Sequence, residues 1–145
     1  MRRVLKRRNY RCISLNASNV VCDDVAGTST NGVECVALSE GHLIHVHSLN
    51  TGKLDNVFAA GEHGAATITS LFFYGNRIYA GTMDSNVVGW SLTDSEKLFV
   101  AMGHESTVTC IYADDSKLVS GSADKSIIVA SALESFQLHA GFDFK

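Results

Sequence analysis

Two stretches of this sequence decide its fold, because each repeats the other. Residues 103–141 read GHESTVTCIYADDSKLVSGSADKSIIVASALESFQLHAG, and residues 61–102 read GEHGAATITSLFFYGNRIYAGTMDSNVVGWSLTDSEKLFVAM. Both begin with Gly and a nearby His, and both continue as four short runs rich in Val, Ile, Phe, Tyr and Thr. Asp84 and Asp124 occupy matching turns, 40 positions apart. Self-similarity at a fixed period of this length is typical of a repeat architecture.

A third and weaker copy lies upstream, in residues 32–60, which read GVECVALSEGHLIHVHSLNTGKLDNVFAA. It carries the last three runs at the same spacing, and His47 stands 43 positions before Trp90. The period predicts that its first run is NVVCDD at 19–24. YRCISLN at 10–16 is then a leftover strand, which predicts about thirteen strands in all.

The runs have the composition and length of β-strands. Each is short, rich in β-branched and aromatic residues, and bounded by Gly, Asn, Asp or Ser. None shows a sustained helical period, so we expect no helix in the body of the chain. Four antiparallel strands per repeat form one twisted sheet with two apolar faces, and radial stacking of such sheets buries both faces in a propeller. The predicted fold class is all-β.

The sequence at this point resembles the WD-repeat family. The matches are Gly103-His104, LVSGSADKS at 118–126, VGWSL at 88–92 and VHSLNTGK at 46–53. The resemblance implies consecutive four-stranded antiparallel blades of a partial propeller. The expected divisions are a basic segment with a leftover strand at 1–18, blades at 19–60, 61–102 and 103–141, and a tail at 142–145.

The resemblance also implies a structural hydrogen-bond chain. In this family the chain links a loop His, a second-strand Ser, a turn Asp and a third-strand Trp. Carried over by position, the residues that match are His63, Asp84, Trp90, His104, Ser120 and Asp124. Ala80 occupies the Ser place in one copy and Ala130 the Trp place in the other, so no copy has the full set.

The function that the resemblance implies is a non-enzymatic protein-interaction scaffold that presents its blade loops to a partner. The candidate partner-binding residues in these loops are Glu40, His42, Glu62, Met83, Glu105 and Lys125. The acidic loop residues favour a basic peptide or protein patch as partner. Three blades cannot close a ring, so we expect a piece of a longer propeller, or completion of the ring by a second copy or another chain.

The charge distribution suggests an alternative. Six of the 12 basic residues fall in the first eleven positions, so residues 12–145 carry a net charge of −9. An acidic body repels a phosphate backbone, which makes nucleic-acid binding unlikely except through residues 2–11. The alternative function is an RNA- or nucleus-associated adaptor that acts through this basic segment.

Two clusters contain residue types that are found in metal or catalytic sites. The HxxHxH cluster at 42–47 has no Cys or carboxylate spaced to complete a metal site, so packed histidines are the simpler interpretation. His104, Ser120 and Asp124 include the residue types of a hydrolase, but no strained nucleophile turn accompanies them. We therefore expect no catalytic residue, no metal and no cofactor.

The cysteines and the hydropathy pattern bear on the compartment. No two of Cys12, Cys22, Cys35 and Cys110 have the spacing of a zinc or redox motif, so buried free thiols are expected. No apolar run has the length of a membrane span, and none follows the basic N-terminus as in a secretory signal. A cytoplasmic or nuclear location, away from membranes, is the expectation.

Overall fold

A computed structural model describes residues 35–61 and 64–131 of the chain, together with the strand backbones at 13–16 and 138–143. These residues form three four-stranded sheets, and within each sheet every neighbouring pair of strands is antiparallel. The described part contains no helix, and so none that could span a membrane. The all-β prediction is confirmed, and each sheet corresponds to one blade.

The strands follow one another in space as they do along the chain. The first sheet contains Ile13–Asn16 (β1), Cys35–Glu40 (β2), Leu43–Ser48 (β3) and Leu54–Ala59 (β4). The second contains Ile68–Tyr74 (β5), Arg77–Thr82 (β6), Val87–Ser91 (β7) and Lys97–Ala101 (β8). The third contains Val108–Ala113 (β9), Lys117–Ser122 (β10), Ser126–Ser131 (β11) and Leu138–Asp143 (β12).

Two apolar layers hold the three sheets together. The first layer joins the first and second sheets and includes Ile44, Phe58 and Trp90. The second joins the second and third sheets and includes Tyr79 and Leu118. Successive side chains of a strand point to opposite faces, so the second sheet contributes its two faces to different layers. This is the two-sided burial that the repeat predicts.

The first strands of the sheets lie side by side, because β5 contacts β1 on one side and β9 on the other. The hydroxyl of Thr69 on β5 donates hydrogen bonds to the carbonyl oxygens of Gly81 and Val108, and so ties the second sheet to the third. The last strands, β4 and β8, are outer edges of their sheets.

The strand at 13–16 corrects one sequence-based division. It was expected as a leftover strand of the 1–18 segment, with 19–24 as the first strand of the blade at 19–60. Instead β1 pairs with β2 and is itself the first strand of the first sheet. The period of 40 residues does not predict the position of β1, because residues 17–34 separate β1 from β2. Only a few residues separate the matching strands in the other sheets. The expected run at 19–24 lies outside the described residues.

The last strand extends further than expected. Residue 142 was assigned to a tail, but β12 continues to Asp143, and Phe142 is paired with Ile127 of β11. A strand continues while its neighbour offers backbone partners, and β11 offers them along its whole length. Gly141 is therefore an interior residue of the strand and not its end.

The cysteine prediction is wrong for Cys110, which is exposed, while Cys35 is half-buried; both are free thiols. Cys110 lies on β9 opposite Gly121, on the face of the third sheet that points away from the second. No fourth sheet covers that face among the described residues. Cys12 and Cys22 lie outside the described part of the chain.

Candidate functional site

The most complete polar cluster lies at the entrance to the third sheet and is centred on His104. This residue precedes β9, and its side chain is 2% exposed. Its Nε2 atom lies 2.9 Å from the Ser120 hydroxyl on β10, and its Nδ1 atom lies 3.1 Å from a carboxylate oxygen of Asp124. With the proton on Nδ1, the ring donates to Asp124 and accepts from Ser120. The structure thus brings together the three residues that the resemblance placed in this chain.

Asp124 is held by further donors in the turn between β10 and β11. Its carboxylate accepts the Glu105 amide at 2.8 Å, the Ser126 amide at 2.7 Å and the Ser126 hydroxyl at 2.6 Å. Burial opposes the charge and would raise the pKa of Asp124, but the hydrogen bonds from Ser126, Glu105 and His104 together hold that pKa below its ordinary value. Asp124 is therefore an ionised acceptor that ties the loop before β9 to the turn after β10.

The matching position in the second sheet is built differently. Asp84 is exposed and accepts a hydrogen bond from the hydroxyl of Thr82, which also contacts both the amide and the carbonyl of Asn86. The Asp84 carboxylate is therefore not enclosed as that of Asp124 is. Ala80 stands where the third sheet has Ser120, so no second-strand hydroxyl completes a chain here. His63, the expected loop histidine, lies outside the described residues.

Trp90 is a packing residue of the second sheet. It is 2% exposed and lies opposite Ile78, and its ring centroid is 5.9 Å from that of Phe58 in the first sheet. Ala130 occupies the same register position in the third sheet, opposite Leu118. Trp90 thus joins two blades through the first apolar layer, and the third sheet fills the matching place with a methyl group.

His47 occupies this register position in the first sheet, opposite Val36. Both of its ring nitrogens are buried without a hydrogen-bond partner in the described structure. Buried polar atoms are normally paired, so His47 is a weak substitute for the tryptophan. Within the described residues, no group of three or more His, Cys, Asp or Glu side chains could hold a metal ion.

The predicted partner-binding loops share one rim. The Ile68 amide donates to the Gly41 carbonyl at 2.8 Å, so the turn after β2 is tied to the start of β5. The Thr107 hydroxyl donates to the Met83 carbonyl at 3.4 Å, so the turn after β6 is tied to the start of β9. The amide of Ala123, in the turn after β10, donates to the carbonyl of Thr107 at 2.9 Å. The turns after β2 and β6 therefore lie beside the entrance to the next sheet, and the turn after β10 lies beside the entrance to its own sheet.

The side chains on this rim differ in accessibility. Met83 is 48% exposed, and Glu105 and Lys125 are also exposed. Glu40 and His42 are half-buried, while Glu62 lies outside the described residues. Ser85 and Lys125 both have φ of 71°, a conformation that ordinary side chains rarely adopt. The turns after β6 and β10 therefore share a tight backbone shape that projects their side chains from the rim.

Ser126 is the site residue that sequence reasoning missed. Its amide and hydroxyl both bond Asp124, and its hydroxyl lies 2.9 Å from the Nδ1 atom of His104. The signal was present as an Asp-x-Ser spacing, because an Asp side chain commonly caps the backbone two residues later in a turn. The hydroxyls of Thr69 and Thr109, each bonded to a second-strand glycine carbonyl, were missed too.

Comparisons with known proteins agree with this geometry. The family model described as "WD domain, G-beta repeat" matches residues 95–130. No protein among the curated sequences matches the chain. The solved structures that resemble it include a mitotic checkpoint complex, at 17% identity and a TM-score of 0.71, over 78% of this chain and 35% of that one. The RRP9 WD40 repeats also resemble it, at 14% identity and a TM-score of 0.74, over 98% of this chain and 41% of that one. Another is the computationally designed Ika8 protein, at 23% identity and TM-score 0.69, over 94% of this chain and 37% of that one.

The matched repeat does not coincide with one sheet. Residues 95–130 contain β8, the outer strand of the second sheet, followed by β9, β10 and β11 of the third. One sequence repeat therefore links two neighbouring blades covalently. The chain spans 35–41% of the length of the solved structures it resembles. The predicted WD repeat is matched by the family model at residues 95–130, and the predicted partial propeller fold is confirmed.

Proposed function

Because this chain forms consecutive propeller blades and matches a WD repeat at residues 95–130, we propose that it is a non-enzymatic protein-interaction scaffold whose rim loops bind a protein partner. The observation that carries the proposal is that the turns after β2 and β6 are each tied to the entrance of the next sheet. The bonds from Ile68 to Gly41 and from Thr107 to Met83 set loops from different sheets beside one another. Loops held by a rigid scaffold are the usual location of binding residues.

The polar residues of the third sheet support a structural role more than a catalytic one. Ser120 is 5% exposed, and its hydroxyl is engaged by His104. A nucleophile needs an accessible oxygen beside a site that stabilises the developing negative charge. The Asp124 carboxylate receives its hydrogen bonds from the turn and the loop that it joins, which suits a brace between loops.

The charge of the rim supports a basic partner. Asp84 and Glu105 are exposed carboxylates and Glu40 is half-buried, whereas Lys125 is the exposed cation among the predicted loop residues. Complementary charge steers association and selects partners, and salt screens it. The partner proposed here is a lysine- or arginine-rich peptide or protein patch.

The third sheet supports completion of the propeller by a companion blade. On the second sheet, Tyr79 and Val87 face the third sheet and are 1% and 4% exposed. The residues in register with them on the third sheet are Val119 and Ile127, which are only half-buried. A half-covered apolar face suits another blade, supplied by a longer chain, a second copy or another protein.

The alternative function acts through the basic residues 2–11, which lie outside the described part of the chain. It is supported by the concentration of six cations in the first eleven positions. Deleting residues 1–11 separates the two functions. A rim scaffold keeps its protein partner after this deletion, whereas an adaptor that acts through the basic segment loses nucleic-acid binding or nuclear retention.

The rim proposal is tested directly with a fluorescent lysine-rich peptide as probe and a glutamate-rich peptide of the same length as control. The expected result is binding of the basic peptide alone, weakening as salt is raised from low to physiological concentration. Equal binding of both peptides, or binding that salt does not change, would contradict an acidic binding rim.

A further inference from the structure

A cleft lies between the second and third sheets at the end opposite the rim. Strands β5 and β9 both begin at the rim, so the turns that follow them, at residues 75–76 and 114–116, lie at the other end. These turns border a cavity of about 370 Å³, here called the turn cleft, which is within the size range of small-molecule sites. Its lining includes Tyr74, Asn76, Arg77, Tyr79, Asp114 and Asp115.

The two walls of the turn cleft carry opposite charges. The second sheet contributes the Arg77 guanidinium and the third sheet contributes the Asp115 carboxylate, and both side chains are exposed. Among the residues that the structure describes, no ion pair joins Arg77 to Asp115, although both line the same cavity. The cleft therefore presents a cation and an anion that face one space without neutralising each other.

The second carboxylate of the cleft, Asp114, is already engaged within its own turn. It pairs with the Lys117 ammonium at 2.8 Å and accepts the Ser116 amide at 2.8 Å. Asp115 is engaged less completely. The Tyr74 hydroxyl donates to its carboxylate across the sheet boundary, and this bond is the main reason why the pKa of Tyr74 is raised. A carboxylate has more acceptor sites than one such bond uses, so Asp115 is the carboxylate that can receive a ligand.

Hydrogen bonds hold both walls in place without a ligand. On the second sheet, the Asn76 carbonyl accepts the Leu92 amide at 3.0 Å, and the Asn76 side-chain amide donates to the Thr93 hydroxyl. On the third sheet, the bonds of Asp114 close the turn that carries Asp115. Walls that are ordered before binding reduce the entropy that a ligand must offset.

We propose that the turn cleft binds a small zwitterion of the amino-acid class, with its carboxylate on Arg77 and its ammonium on Asp115. The planar guanidinium suits a carboxylate because it offers several N–H donors in one fork. A ligand with a single charge would leave the opposite wall unpaired. Tyr74 and Tyr79 also line the cleft, which favours an aromatic side chain on the ligand. The cleft lies away from the rim, so the inference does not depend on the proposed function.

An NMR titration of the full chain with three related probes tests the proposal. L-phenylalanine has both charges, phenethylamine lacks the carboxylate, and 3-phenylpropanoate lacks the ammonium. Exposed ion pairs contribute little each, so binding should be weak, but L-phenylalanine should bind at least about threefold more tightly than either analogue. The amide signals of residues 75–77 and 114–116 should shift, and those of the rim loops should not.

Charge-removing variants locate the two contacts. Arg77→Gln and Asp115→Asn should each weaken L-phenylalanine binding by at least about threefold. The controls are Lys53→Gln and Asp55→Asn, which remove exposed charges from the first sheet and should leave the dissociation constant unchanged. Circular dichroism and melting temperature establish that all four variants are folded.

Four results would overturn the proposal. The first is a folded wild-type chain that does not bind L-phenylalanine. The second is an analogue that binds as tightly as L-phenylalanine, because one wall would then be enough. The third is a set of shifted signals confined to the rim. The fourth is an equal loss of binding in the cleft variants and the first-sheet controls.

Discussion

Trp90 of the second sheet packs its ring against Phe58 of the first, with the ring centroids 5.9 Å apart and the planes inclined by 42°. The two residues are separated by a whole blade boundary in the sequence, yet they share one apolar layer. Trp90 is the single tryptophan of the chain. Trp90 is therefore the largest buried side chain at the joint between the first and second blades.

We expect Trp90→Ala to lower the free energy of unfolding by about 3–5 kcal/mol, because it removes a large buried ring and leaves a cavity between two sheets. Trp90→Phe should cost clearly less, since it keeps an aromatic ring beside Phe58. Chemical denaturation measures both. If Trp90→Ala and Trp90→Phe lowered the free energy of unfolding equally, ring volume would not determine the stability of this joint.

His104→Ala should lower the free energy of unfolding by about 1–3 kcal/mol, because the buried Ser120 hydroxyl loses its partner and Asp124 loses one of its donors. The neighbouring Glu105→Ala is the matched control. It removes an exposed side chain and keeps the amide that bonds Asp124, so its effect should stay within about 0.5 kcal/mol. An unchanged melting temperature for His104→Ala would count against the brace between the loop and the turn.

The stability of the third sheet should fall in acid. The hydrogen bonds of Asp124 hold its pKa below the ordinary value, so its contribution is fully present above the unfolded-state pKa of about 3.9 and is lost as the pH falls through the lower folded-state pKa. The melting temperature of Asp124→Asn should therefore lie well below that of the wild type at neutral pH. The difference between the two melting temperatures should become smaller in strong acid.

The wild-type acid profile alone does not isolate Asp124. Lys117 and the Ser116 amide also lower the pKa of Asp114, which makes this second carboxylate acid-sensitive in the same direction. The difference in melting temperature between Asp124→Asn and the wild type is the diagnostic quantity, and Asp114→Asn is the control. A gap that stays constant between neutral and strongly acidic pH would exclude ionised Asp124 as the stabilising group.

Reversing a charge on the rim should weaken the binding of a basic partner. Glu105→Lys changes an exposed side chain without altering the amide bonded to Asp124. It should reduce the affinity for the lysine-rich peptide several-fold and flatten the salt dependence, because one screened attraction becomes a repulsion. Asp55→Lys, on the outer strand β4, is the control at a distance from the rim. Equal losses from both substitutions would mean that net charge, and not the rim, determines binding.

The repeat predicted most of the fold because each copy has the same order of strand-forming runs and turn residues. Matching runs around Asp84 and Asp124 form matching hairpins, and Phe99 packs between the second and third sheets beside Tyr79. The first sheet was harder to predict, since the period does not reveal how long a connection can be. Because residues 17–34 separate β1 from β2, the position of β1 in the sequence does not follow the spacing of the other copies.

The site was predictable where its residues act locally and less so where they act across sheets. His104, Ser120 and Asp124 match the family pattern within one repeat, and the structure brings them together. Asp84 matches Asp124 by position, but Ala80, on the strand before its turn, has no hydroxyl to complete the chain, and Asp84 is exposed. The exposure of Cys110 depends on a neighbouring sheet that the described chain does not provide.

The three repeats stack as like sheets, and among the described residues no further sheet covers the outer face of the third. Gly81 and Gly121 hold the same place in the second and third sheets. A Cβ at Gly81 would meet the Ser70 hydroxyl of its own sheet and would lie 2.5 Å from Val108 across the sheet boundary, whereas one at Gly121 would meet only the Cys110 sulfur of its own sheet, at 2.7 Å.

The most direct test compares the unfolding free energies of Gly81→Ala and Gly121→Ala. Gly81→Ala should lose about 1–3 kcal/mol by overpacking the boundary between the second and third sheets, and Gly121→Ala should lose clearly less, because the cysteine side chain can turn toward the open face. Equal losses, or a larger loss at Gly121, would contradict the stacking order and the open third face.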